Sequence, residues 1–145
     1  MSYKKQFSKK EWQMLQYSIL WVFHAVAQAD GVIDEKEGKA LLDVFKGEIY
    51  VSSELAREVV ESMAGSSDKI IASFKKDTHG IPMGLKDVAE LVEKKLDADE
   101  AKDFKLGLLI LGVAFANASN QVGTREAILT IAAILRLSLE DLEKG

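Results

Sequence analysis

Asp30 and Glu37 stand seven residues apart in Ala29-Asp30-Gly31-Val32-Ile33-Asp34-Glu35-Lys36-Glu37, a spacing of acids around a glycine that could hold a divalent cation. The segment matches the second half of a calcium-binding helix-loop-helix: an acid, a glycine, an apolar residue two positions on, and a glutamate six after the glycine. The first half is missing. Positions one and three of such a loop would be Val26 and Gln28, and a cation that wants six to eight oxygens takes none from a valine side chain. A high-affinity calcium loop is therefore excluded. A water-rich magnesium or calcium site on Asp30, Asp34 and Glu37 remains, since magnesium often binds through one or two carboxylates. The same residues also work without an ion. Gly31 permits a turn, Asp34 caps the next helix, and Glu37 reaches back to complete a capping box.

The pattern returns later in the chain. With Glu37 aligned on Glu126, an offset of 89, Ala27-Gln28-Ala29-Asp30 falls on Ala116-Asn117-Ala118-Ser119, Ser8 on Asp97 and Glu11 on Glu100. Ser119, Asn120 and Gly123 replace Asp30, Gly31 and Asp34, so Glu126 is the one carboxylate aligned with the first turn's acids, with Asn117 a neutral donor nearby. The candidate metal ligands are Asp30, Asp34, Glu37 and Glu126. An internal repeat of 8–45 and 97–134 would carry both turns.

The elements that must position these residues read as helices. Ser8 with Glu11 forms a capping box, and Trp12, Leu15, Ile19, Val22 and Val26 recur at helical spacing, which predicts a helix over 9–29. Gly31 breaks it, and a short helix over 35–46 carries Leu41, Val44 and Phe45 up to Gly47. Ser52 or Ser53 caps a third, with Leu55, Val59 and Met63 on one face and Gly65 at its end. Ser67 opens a fourth, with Ile70, Ile71 and Phe74. The stretch Asp77 to Gly84, which holds the lone proline, reads as a loop, followed by a helix over 85–95. Asp97 launches a long apolar helix through Ala118, 124–136 form another, and Ser138 caps a terminal turn. No segment alternates like a strand, so the fold class is all-α, about seven helices in a compact domain. The small residues Ala25, Ala27 and Ala29 in one long helix, and Gly107, Gly112 and Ala114 in the other, predict close approach of neighbours.

At 145 residues, 48% of them hydrophobic, the chain suits one domain spanning 1–145. The absence of cysteine excludes disulfides, thiolate metal sites and cysteine nucleophiles, and fits a cytoplasmic location. A net charge of −4 without a dense basic cluster argues against nucleic acid. Lys4, Lys5, Lys9 and Lys10 leave a peripheral contact with an anionic membrane open. The run from Trp12 to Ala29 mimics a signal peptide, but Gln13, Gln16, Tyr17, Ser18 and His24 interrupt it. Leu106 to Ala116 is shorter than the roughly 20 residues that span a bilayer.

The alanine-rich helix ending in Ala29-Asp30-Gly31, followed by an apolar residue and a helix led by Glu37, resembles the TerB family of bacterial tellurite-resistance proteins and its wider TerB-like superfamily. Asp97 through Leu142 resembles the later half of that fold, so the likeness spans most of the chain. The resemblance implies an all-helical domain with an internal duplication and a cation site at the repeat turns. Carried over by position, that site falls on Asp30, Asp34 and Glu37 in the first turn and on Glu126 in the second. It further implies a non-enzymatic interaction module of a stress or tellurite-resistance response, with protein partners at the inner face of the membrane. The alternative is a metal-independent helical adaptor in the same place.

The remaining chemistry is sparse. His24, with Gln28 one turn on, reads as a half-buried hydrogen-bonded histidine rather than a base. His79 falls in the loop. No nucleophile elbow and no phosphate-binding glycine motif is present. Tyr17 and Trp21 lie one turn apart and off the Trp12, Leu15, Ile19 stripe, so exposure of both would mark a contact surface.

Overall fold

A computed structural model describes residues 3–27, 53–65, 67–76, 80–119 and 124–137. After a short 3-10 helix at Tyr3–Gln6 come six α-helices: α1 (Lys9–Ala27), α2 (Glu54–Ala64), α3 (Ser67–Lys75), α4 (Ile81–Lys95), α5 (Ala98–Ser119) and α6 (Thr124–Ile134). Among the described residues there is no strand. The expected helix over 35–46 and the terminal turn at Ser138 lie outside the described residues, as does His79.

Most helix ends follow from local chemistry. Glu11 N–H donates to Ser8 Oγ at 3.2 Å and Ser8 N–H to Glu11 Oε1 at 2.7 Å, the reciprocal box that starts α1. Asp97 Oδ1 accepts from the Glu100 amide at 2.8 Å and starts α5. Ser53 caps α2 through the Ala56 amide, and Gly65 ends it. Residues 81–84, the described end of the stretch expected as a loop, are helical instead. Helix α4 begins at Ile81, because Pro82 sits in the first turn, where its missing N–H costs nothing. At the end of α6, Leu137 N–H reaches Ala132 O at 3.0 Å and Arg136 N–H reaches Ala133 O at 3.1 Å. That motif needs a left-handed residue, and here Arg136 supplies it with φ 63°, a place glycine usually takes.

Helix α1 is the centre, packed against the other five α-helices. Leu15 and every residue from Tyr17 to Phe23 are buried, so the helix is covered all round rather than along one stripe. Buried Ser18 satisfies its hydroxyl by donating to Leu15 O. Glu11 lies 3.6 Å from Lys95, which closes α4 just ahead of α5. At the other end Phe23 meets Phe115, with ring centroids 5.1 Å apart. A Cβ placed on Gly112 would lie 3.2 Å from Val22 Cγ1. Helices α1 and α5 therefore run parallel, and α4 runs antiparallel between their starts and the far end.

Close approach occurs where small residues permit it. A Cβ on Gly112 would also come within 3.1 Å of Ile128 Cδ1, so this glycine seats α5 against both α1 and α6. Gly84 is tighter still: a Cβ there would lie 2.6 Å from the Trp21 ring.

Candidate functional site

Asp30, Asp34 and Glu37 lie outside the described residues. Glu126 stands in the first turn of α6 and is exposed. Parallel packing of α1 and α5 fixes where the described chain leaves those helices. Ala27 and Ser119, their last residues, lie at the same end of the molecule, the end from which Glu126 starts α6. Among the described residues, no group of three or more histidine, aspartate or glutamate side chains is arranged to hold a metal ion.

The last turns of α1 at this end are clothed in aromatics. Tyr17 is only 6% exposed and Trp21 only 2%, which removes the pair as a contact surface. The cover comes from α3: Phe74 packs edge-on to Tyr17 at 5.3 Å and tilted against Trp21 at 6.2 Å. The Tyr17 hydroxyl shares a short hydrogen bond with Ser73 Oγ. His24 is half-buried, its ring stacked on Phe74 at 5.2 Å and edge-on to Phe23 at 5.5 Å. That setting places the imidazole between two aromatic rings.

Among the described residues, two carboxyl groups have displaced pKa values, and both belong to helix caps. The Ser8 amide hydrogen bond holds Glu11 below the ordinary carboxylate range, with Lys95 adding to it. Asp97 is lowered by the Glu100 amide in the same way. These shifts record a structural use of charge.

At the opposite end of α1, a cleft of about 390 Å³ is lined by Phe7, Ser8, Lys9, Lys10, Trp12, Gln13 and Gln16. Trp12 is only 5% exposed, and its Nε1 has no hydrogen-bond partner among the described residues. The side-chain amides of Gln13 and Gln16 are turned to α3 and α2, donating to Ser73 Oγ at 3.5 Å and Ser62 Oγ at 3.1 Å.

Against known proteins, the chain is 32% identical over 141 residues to the uncharacterised protein ORF11' of Methanothermobacter thermautotrophicus, covering 93% of each. It belongs to the family of that archaeal protein. No protein-family model matches the chain, and no solved structure matches it. The family relation therefore covers nearly the whole chain.

Sequence spacing missed two features that carry charge or an unpaired donor. One is the cleft beside Trp12, which read as part of an apolar stripe. The other is Lys105, buried on α5 and paired with Glu93 at 3.3 Å, while Arg136 reaches the other oxygen of Glu93 at 3.0 Å and Glu90 at 3.4 Å. The available signal was a lysine, Lys105, directly ahead of the apolar run that begins at Leu106.

Among the described residues no helix is long and apolar enough to cross a membrane.

Proposed function

We propose that the chain is a non-enzymatic, TerB-like interaction module whose acidic turn at 30–37 holds a divalent cation, magnesium or calcium, and whose two halves, 8–45 and 97–134, are a duplicated helix-turn-helix. The observation that carries this reading is the parallel packing of α1 and α5. It brings the exits at Ala27 and Ser119 to one end, so the segments holding Asp30, Asp34 and Glu37 and the turn before Glu126 start from the same side. The matching caps at Ser8 and Asp97 support the duplication, since both open a long helix at the same register. The use of Glu11 and Asp97 as caps supports a non-catalytic role, because both displaced carboxyls have a structural task. On this reading the module works in a stress or tellurite-resistance response with protein partners, in the cytoplasm and against the inner membrane face.

The competing reading, a metal-independent helical adaptor, draws on a different observation. Ile110 and Val113 on α5 and Leu129 on α6 are exposed, and apolar side chains of that size suit a protein contact. Titration with magnesium or calcium, followed by amide shifts, separates the two. The cation reading expects saturable movement at Asp30, Asp34 and Glu37, with Glu126 following. No movement at these amides up to about millimolar ion, the weak end of protein calcium sites, leaves the adaptor.

A further inference from the structure

The cleft at the start of α1 combines features that the acidic turn does not use. Its wall contains the Trp12 indole, whose N–H is a donor with no partner. A buried N–H left unpaired costs free energy, and native structures rarely leave one so without a ligand or water to accept it. Phe7 and Trp12, their rings 6.2 Å apart, supply an apolar wall. Lys9 and Lys10 line the same cleft from the exposed first turn, and among the described residues no aspartate or glutamate lines it. The nearby Glu11 carboxylate is engaged with the Ser8 amide and Lys95.

An unpaired donor, an aromatic wall of two rings tilted 48° to each other and two ammonium groups select an organic anion with an apolar ring over a bare ion or a cation. At about 390 Å³ the cleft lies near the lower end of the range for small-molecule sites. We propose that this cleft binds a small aromatic carboxylate, its ring against Phe7 and Trp12, one oxygen accepting from Trp12 Nε1–H, and its charge facing Lys9 and Lys10. Nε1 has under 1 Å² of accessible surface, so the acceptor reaches it with a shift of the side chains around it. The site is independent of the turn at 30–37. Its lining residues, Phe7 to Gln16, include none of Asp30, Asp34 and Glu37, so either can fail without the other.

The test uses the full chain labelled with nitrogen-15 and titrated with benzoate. The protein has two tryptophans, and the variant Trp12→Phe assigns their indole N–H signals. Benzoate should move the Trp12 indole signal saturably and leave that of Trp21 in place. Acetate, which lacks the ring, and benzyl alcohol, which lacks the charge, should each bind at least about tenfold more weakly, a difference of about 1.4 kcal/mol. The double variant Lys9→Ala, Lys10→Ala changes exposed side chains and should weaken benzoate about threefold, in the range of exposed charge pairs. A Trp12 signal unmoved by roughly 50 mM benzoate, far above the micromolar to millimolar range of ordinary sites, overturns the proposal. So does equal movement of both indoles, or benzyl alcohol binding as well as benzoate.

Discussion

Helices α1 and α5 begin with matching caps and run parallel, yet their outer faces end differently. At the register that aligns Glu37 with Glu126, Trp21 corresponds to Ile110 and His24 to Val113. Trp21 is 2% exposed and His24 half-buried, because Phe74 of α3 lies over both. Ile110 is 36% exposed and Val113 41%. The aligned positions are thus core in α1 and surface in α5. What differs is the presence of a covering helix rather than the hydrophobicity of the position, since all but His24 are apolar.

The largest test of that contrast is truncation on both sides. Trp21→Ala should destabilise by about 3–5 kcal/mol, as for other large buried aromatics, with the gap left beneath Phe74. Ile110→Ala should change stability by no more than about 0.5 kcal/mol, as an exposed substitution does. Urea unfolding with the slope checked for constancy measures both. If Ile110→Ala costs nearly as much as Trp21→Ala, the α5 face is covered in solution and the contrast fails.

Glycines sharpen the comparison at smaller cost. Gly84→Ala drives a methyl to 2.6 Å from the Trp21 ring, and ring and helix must shift; a loss of about 1–3 kcal/mol is expected. Gly112→Ala meets Ile128 Cδ1 at 3.1 Å and Val22 Cγ1 at 3.2 Å, so side chains can give way and the loss should be smaller. Gly107→Ala meets only ordinary contact, Ala56 Cβ at 3.4 Å, and removing a mid-helix glycine should stabilise by up to about 1 kcal/mol. Melting temperatures in the order Gly107→Ala, Gly112→Ala, Gly84→Ala, highest first, are expected; any other order means the covered α1 face is not the tightest packed.

What could be read from spacing was what local chemistry decides. Ser8 with Glu11, Ser53, Gly65 and Asp97 each fix a helix end through bonds within a few residues, and each falls where expected. Gly107 and Gly112 were legible as points of close approach. Pro82 was misread because a proline between glycines signals both a loop and a helix start, and only the Gly84 N–H bond to Gly80 O at 2.9 Å distinguishes them. Burial of Tyr17 and Trp21 depends on α3, a partner about 50 residues away that no periodicity names. For the same reason Lys105 and Arg136 could not be joined to Glu93 before the helices were packed. Of the candidate ligands, Glu126 is found exposed at the expected turn, and Asp30, Asp34 and Glu37 lie outside the described residues.

The same register pairs Gln16 with Lys105, and α1 and α5 use it with different chemistry. Gln16 makes a neutral hydrogen bond to Ser62, whereas Lys105 makes an ion pair with Glu93. Glu93→Gln leaves Lys105 buried without its counter-charge and frees Arg136 from one of its two partners. A cost of about 1–2 kcal/mol is expected, below that of a wholly buried pair because Glu93 is 35% exposed. Lys105→Met together with Glu93→Gln should recover most of it, since the aliphatic side chain needs no partner. A double variant no more stable than Glu93→Gln alone would place the loss at Arg136 instead.

The smallest effect separates the two caps themselves. Glu11 and Asp97 both have pKa values depressed in the fold, so each contributes stability above the ordinary carboxylate range that is lost as pH falls through the depressed value. The acceptor differs. In α1 the Glu11 amide is held by the Ser8 hydroxyl, which does not titrate, and the carboxylate instead holds the Ser8 amide and pairs with Lys95. In α5 the Glu100 amide is held by the Asp97 carboxylate itself. Acid should therefore shift the Ser8 and Glu100 amide signals while leaving that of Glu11 nearly still, and Asp97→Ser should make the start of α5 as insensitive to acid as the hydroxyl cap of α1. A Glu11 amide that moves in step with Glu100 would mean that the hydroxyl does not hold α1 on its own, and the likeness of the two helix starts would then extend to their dependence on charge.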